Sequence, residues 1–192
     1  MTEKSYEILM SALEDNLYHG LAYLCGLVGD DPNREGLRGT PKRIAKMWVD
    51  LLSIPKPDCT KFKNPGYDQM IVETGIPFVS MCEHHLLPFI GKAAIGYLPE
   101  TEGYVLGLSK LARVLDYFAA RLQLQERLTK QVAEFLQEEL RPKGIGVVLA
   151  AEHFCMSVRG VKKPGTLTYT SHLTGAFRDG PVKDEFLRLA HS

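Results

Sequence analysis

Ser80-Met81-Cys82-Glu83-His84-His85 places a thiol and two imidazoles within four residues, with Cys82 and His85 three apart. In a turn or the first coil of a helix, that spacing points both side chains the same way. Thiolate sulfur and imidazole nitrogen suit zinc, a d¹⁰ ion with no geometric demand of its own. Two donors hold a metal poorly, so a third must come from elsewhere. Cys155, in Glu152-His153-Phe154-Cys155-Met156-Ser157-Val158-Arg159, is the best candidate. Read as a strand, this segment puts Phe154, Met156 and Val158 on an apolar face and His153, Cys155, Ser157 and Arg159 on the other. Arg159 would then lie about 13 Å beyond Cys155, at ~3.3 Å per residue. A metal at one end and a guanidinium at the other suit a long ligand with an anionic tail.

Three protein ligands leave a fourth position open, which is the mark of a catalytic zinc. Water in that position reaches a pKa of about 7 and attacks an electrophilic carbon at neutral pH. The bland alternative is a buried thiol beside surface imidazoles, since free cysteine is often simply core. A further alternative is a closed four-ligand site, completed by His84 or His153, in a protein that binds nucleotides without turning them over. As bystanders to the metal, His84 and His153 read as general acid and base, because imidazole titrates near neutrality. They read equally well as hydrogen-bond partners or spare ligands.

Ser109, Lys110 and Arg113 stand at the start of a helix, where unpaired N–H groups and the dipole favour an anion. Ser109 could instead be a plain cap and the cations merely solvated. The recurrence of cations elsewhere, Arg43 with Lys46 and Arg159 further along the strand of Cys155, points to a phosphate or polyphosphate if they converge. Glu126, next to Gln125, either complements the dipole of its own helix or accepts from adjacent N–H groups such as a guanine edge presents.

The elements that must position these residues follow from period and punctuation. Leu9, Leu13, Leu17, Leu21 and Leu24 predict an amphipathic helix over 5–28. Thr40-Pro41 reads as N-cap and first helical position of a helix burying Ile44, Met47 or Trp48, and Leu51, with Arg43 and Lys46 together on another face. Residues 53–68 read as a polar connection. Met70–Val79 and Phe89–Leu98 read as partner strands on either side of the Cys-His cluster. A helix starts at Ser109 with Leu111, Leu115, Phe118 and Leu122 inward, and another runs from about Gln125 to Leu140. Ile145–Ala151, the His153–Arg159 strand, a Lys162-Lys163-Pro164-Gly165 turn, a strand over 166–171 and a short helix near Lys183–Leu189 complete the chain. Strands, two helices, then strands predict an α+β fold: an antiparallel sheet with two helices on one face, plus N-terminal helices. The bare face and sheet edges call for cover, which oligomerisation would provide.

Bulk composition narrows the function. In 192 residues, 23 Lys and Arg balance 23 Asp and Glu, so no overall charge draws the chain to nucleic acid or membrane. Four cysteines in a chain this long make no disulfide scaffold. The first residues lack a basic stretch followed by an apolar run, and no apolar stretch approaches the ~20 residues a bilayer span needs. The chain reads as a soluble, cytoplasmic protein with one domain over 1–192, a helical part over 1–60 and a core over 61–192.

The motifs together resemble one family. Ser80–His85, Gly107-Leu108-Ser109-Lys110-Leu111-Ala112-Arg113, Gln125-Glu126-Arg127-Leu128-Thr129, His153–Gly160 and Thr40-Pro41-Lys42-Arg43-Ile44-Ala45-Lys46-Met47 are similar to GTP cyclohydrolase I in content and order, from about residue 30 to the end. The resemblance implies the tunnelling fold, with sheets of several subunits closing into a toroidal homo-oligomer, typically a decamer whose active sites lie between subunits. It implies Zn²⁺ on Cys82, His85 and Cys155, acid/base roles for His84 and His153, and guanine recognition at Glu126 and Gln125. The triphosphate of GTP falls to Lys46, Arg43, Ser109, Lys110, Arg113 and Arg159. The implied reaction is hydrolysis at guanine C8, release of formate and rearrangement to 7,8-dihydroneopterin triphosphate. Two segments depart from the family pattern, Glu100–Tyr104 in a hairpin and Thr168–Gly175, and neither is expected to touch the metal or the base-recognition position.

Overall fold

A computed structural model describes residues 3–191. The chain divides into two compact units, Met1–Ser53 and Ile54–Ser192. The first holds helix α1 (Glu3–Val28), the single turn α2 (Glu35–Arg38) and helix α3 (Thr40–Leu52). Helix α1 ends where Gly29 takes a left-handed φ of 73°, a conformation glycine adopts without steric cost. Its leucine stripe is less covered than its period predicts: Leu9 and Leu24 are exposed, and Cys25 is its buried side chain. Helix α3 departs from expectation at its start: Gly39, not Thr40, precedes its first turn, and the Thr40 hydroxyl donates to the Gly36 carbonyl of α2 at 3.4 Å and accepts from Arg43. On its face Ala45 is buried, Ile44, Trp48 and Leu51 are half-buried and Met47 is exposed, so Trp48 takes the inward position.

The second unit is α+β. Its five-stranded sheet runs in the order β5 (Leu122–Gln123), β2 (Ile71–Cys82), β3 (Pro88–Leu98), β6 (Gly144–His153), β7 (Leu167–Leu173). All neighbours are antiparallel except β2 and β5, so the sheet is mixed where a purely antiparallel one was expected. The expected polar connection contains a short strand, β1 (Lys61–Lys63), paired with β4 (Tyr104–Leu106).

Helices α4 (Ser109–Ala119) and α5 (Gln125–Leu140) cover one face. On α4, Leu111, Val114, Leu115, Phe118 and Ala119 are buried, the i, i+3, i+4, i+7, i+8 stripe of an amphipathic helix. They join Leu128, Val132 and Leu136 of α5 and the sheet residues Phe78, Phe89, Ile95, Val147 and Leu149 in one core. Each such large side chain contributes about 1.5–3 kcal/mol by leaving water. Leu122, expected inward on α4, is instead exposed on β5. The helix stops at Ala119, and the Gln123 amide donates to the Phe118 carbonyl left without a helical partner.

The opposite face is not left wholly bare. Helix α7 (Gly180–Ala190) packs Phe186 there, beside Phe177, Ala94 and Val148. Gly96 and Gly146 make room: a Cβ on Gly146 would meet both Phe177 and Phe186 at 2.6 Å. Gly146→Ala should therefore lower stability by about 1–3 kcal/mol, the usual effect of overpacking a full core. Urea unfolding monitored by circular dichroism checks it; an unchanged midpoint would show that α7 moves away freely. No described helix is long and apolar enough to cross a membrane.

Candidate metal centre and active site

The chain leaves β2 at Cys82 and returns on β3 at Pro88, so the metal motif forms the connection of a hairpin. The Leu86 and Cys82 amides close it, donating to the Cys82 and Leu87 carbonyls at 2.9 Å each, and Leu86 adopts a left-handed φ of 51°. This tight turn brings the Cys82 Sγ to 3.8 Å from His85 Nδ1.

Cys155 arrives differently from its sequence pattern. β6 ends at His153, and Phe154–Ser157 form a single helical turn, α6. The alternation of a strand, with Arg159 about 13 Å beyond the thiol, is therefore overturned. Ser157 explains the turn: its hydroxyl donates to the Glu152 carboxylate at 2.6 Å and lies 3.2 Å from the His153 carbonyl. Such local side-chain bonds compete with strand pairing. Glu152 also accepts from the Gly165 amide at 2.8 Å, folding the loop back on itself. These bonds hold the Glu152 carboxyl below its ordinary range, the Ser157 hydroxyl foremost.

The ligating atoms of Cys82, His85 and Cys155 all lie within 4.8 Å of one another. Tetrahedral zinc with bonds of about 2.3 Å to sulfur and 2.0–2.1 Å to nitrogen spaces its donors roughly 3.6–3.8 Å apart, so the residues fit the ion. Burial pushes the Cys155 thiol up, and the neighbouring Cys82 sulfur pushes it further; Arg159 works against this rise. A cation among the donors relieves the repulsion between two sulfurs in their charged form. Among the described residues, no other His, Cys, Asp or Glu joins the three.

His153 is stacked on Phe89, with centroids 4.7 Å apart and planes 4° from parallel. Its Nε2 lies 2.8 Å from Gln125 Oε1. Gln125 is buried, and its Nε2 faces the Leu149 carbonyl at 3.2 Å, the Thr168 carbonyl at 2.9 Å and Thr170 Oγ1 at 3.1 Å. Two of these acceptors are carbonyls, which fixes the amide's orientation. Its oxygen can only accept, so His153 must donate from Nε2. Nδ1 is then the ring nitrogen open to a proton. Burial also lowers the His153 pKa, partly offset by Glu126, which keeps the neutral form dominant at neutral pH.

Gln125 thus touches His153 and the sheet with its side chain, whereas it was expected to face guanine alongside Glu126. Glu126 itself is exposed at the first turn of α5, and its charge is felt at His153. Thr168 and Thr170 lie in the segment expected to touch neither the metal nor the base-recognition position, yet both contact Gln125. Thr170 also meets the Thr129 hydroxyl at 2.6 Å, and that hydroxyl donates to the Gln125 carbonyl at 2.7 Å.

Ser109 opens α4 without a side-chain cap bond, Lys110 faces Asp58 at 4.0 Å, and Arg113 lines a hollow of about 270 Å³ with Lys56, Asp58 and Asp116. Arg159 is exposed on the loop after α6. Arg43 and Lys46 belong to the first unit. There the Arg43 guanidinium donates to the Thr40 hydroxyl at 2.7 Å and the Gly36 carbonyl at 3.0 Å, and the Lys46 ammonium pairs with Asp50 at 2.5 Å. Exposed pairs of this kind are worth little.

Cys82, His85 and Cys155 together could hold a metal ion. The family model for GTP cyclohydrolase I matches residues 20–191, and the chain belongs to that family. The GTP cyclohydrolase 1 of Sulfurihydrogenibium sp. is 52% identical over 167 residues, spanning 86% of this chain and 88% of the relative. That of Aquifex aeolicus is 51% identical over 164 residues, spanning 84% and 88%. A solved structure of the archaeosine synthase QueF-Like aligns with a TM-score of 0.46 and 16% identity over 59% of this chain and 98% of that one; it carries no weight here.

Proposed function

We infer that the chain hydrolyses GTP at C8 of the guanine, releases that carbon as formate and yields 7,8-dihydroneopterin triphosphate, the first step of pterin and folate biosynthesis. The observation that carries this reading into the structure is the convergence of Cys82, His85 and Cys155. Zinc held by these three would supply an acidified water as nucleophile at neutral pH.

The chain's own residues do the rest. Glu126, exposed at the head of α5, accepts from the N–H edge of guanine. His153, held as the Nε2–H form, exchanges protons through Nδ1 as the imidazole ring of the substrate opens, and His84 serves as its counterpart. Ser109, Lys110, Arg113 and Arg159, with Arg43 and Lys46, receive the triphosphate by charge-assisted bonds. Gln125 acts at the base end by fixing His153 rather than by touching guanine. The chain is one GTP cyclohydrolase I domain, with the tunnelling fold completed by other subunits in a toroidal decamer. Supporting that assembly, β7 is an edge strand, and Val79, Ile90, Leu167 and Tyr169 expose apolar surface on the sheet face away from α4 and α5.

Incubation with GTP, following formate and the absorbance of a new pterin, tests the reaction. His84→Ala should keep zinc yet lose about 10²–10⁴-fold in formate release, the range of a general acid or base. Unchanged release would remove His84 from the chemistry.

A further inference from the structure

We propose that Arg127 is a positioning residue for the metal centre, acting through Glu83 to hold the Cys82–His85 turn in register with Cys155. The proposal rests on the metal reading above and adds residues that touch neither metal nor substrate.

Glu83 sits between the ligand Cys82 and His84. Its carboxylate is ion-paired with the Arg127 guanidinium, from the first turn of α5. The same guanidinium donates from Nε to Gln123 Oε1 at 3.0 Å. The Glu83 amide in turn donates to the Gln123 carbonyl at 3.1 Å. Glu83, Gln123 and Arg127 therefore close a ring of three contacts, two through side chains and one through backbone.

The anchor of that ring is rigid. Gln123 is 2% exposed, and its amide nitrogen donates to the Phe118 carbonyl at 2.9 Å and Gln131 Oε1 at 2.8 Å. With Arg127 on its oxygen, every polar group of the buried side chain is matched. Gln123 also pairs with Cys82 in the parallel β2–β5 register, so the ring grips the strand at the ligand itself. Within the turn, the His85 amide lies 3.4 Å from the Cys82 carbonyl, its ring meets Cys82 Sγ and the His84 ring, and the residue is exposed.

An ion pair as exposed as this, with side chains 42% and 30% accessible, adds little to global stability. Its effect should appear instead in the geometry of the ligands. Residues that orient ligands from behind typically change metal affinity by about 10–100-fold when lost.

The experiment compares zinc affinity, by competition with a chromogenic chelator, in the parent, Arg127→Ala, Arg127→Lys, Glu83→Ala and the double variant Glu83→Ala/Arg127→Ala. Lys130→Ala, which removes an exposed pair with Glu134 on the same helix, is the control. Thermal unfolding of each zinc-free protein is measured in parallel. Arg127→Ala should weaken zinc binding by about 10-fold or more while the zinc-free melting temperature stays with that of Lys130→Ala. Arg127→Lys, which keeps the charge, should recover part of the loss, and the double variant should lose no more than the worse single one. Parental affinity in Arg127→Ala would overturn the proposal, as would additive losses in the double variant. A parent that binds no zinc would sink the metal reading itself, a failure visible before any variant is compared.

Discussion

Replacing Cys155 by alanine should empty the protein of zinc and lower GTP turnover by more than about 100-fold, beyond the range seen when only a supporting partner of a ligand is lost. The remaining donors, Cys82 and His85, come from one tight turn and cannot surround an ion. No third His, Cys, Asp or Glu among the described residues stands ready to replace the thiol. The fold should survive, because the α6 turn is held by its own bonds: Val158 N–H to the Phe154 carbonyl at 3.0 Å, and Ser157 to Glu152. Zinc per chain, formate release and far-ultraviolet circular dichroism decide it. A variant with full zinc and full turnover would remove Cys155 from the centre.

The second large effect concerns proton transfer. His153→Ala should retain zinc and lose about 10²–10⁴-fold in formate release. Gln125→Leu should lose rate too, though it leaves Glu126 and the three metal donors in place. It frees the imidazole to take either tautomer and removes the buried amide's bonds to the Leu149 and Thr168 carbonyls. Losing such a hydrogen bond costs about 0.5–1.5 kcal/mol, so urea unfolding should also register the change. Rates measured well below the melting transition separate the two consequences. Full activity in Gln125→Leu would show that tautomer and orientation are set by other groups.

Much of this site was legible because its signals are local. Cys82 and His85 are three apart in a turn, and the stripe on α4 and the bounds of α5 follow from helical period and from Pro142 after the helix end. Cys155 was legible as a donor but not in its backbone. Phe154, Met156 and Val158 alternate as in a strand, and the hydroxyl of Ser157, bonding back to Glu152, decides for a turn instead. The contacts of Gln125 were not legible, for a different reason. Its neighbour Glu126 projects outward, and nothing adjacent reveals that Gln125 points into β6 and β7, whose partners Leu149, Thr168 and Thr170 lie far along the chain. Arg127 carried only a faint signal, its i, i+4 spacing from Gln123. That spacing acquires meaning once β5 is seen to pair with the end of β2.

One consequence follows from where the three donors lie in the chain. Cys82 and His85 belong to the β2–β3 hairpin, whereas Cys155 follows β6, which pairs along β3 from Leu98 opposite Gly144 to Phe89 opposite His153. An ion held by all three would tie the hairpin's tip to the far end of β6. Binding the native state and not the open chain, it would add to stability by mass action, in contrast to small zinc modules whose chain is unfolded without the ion.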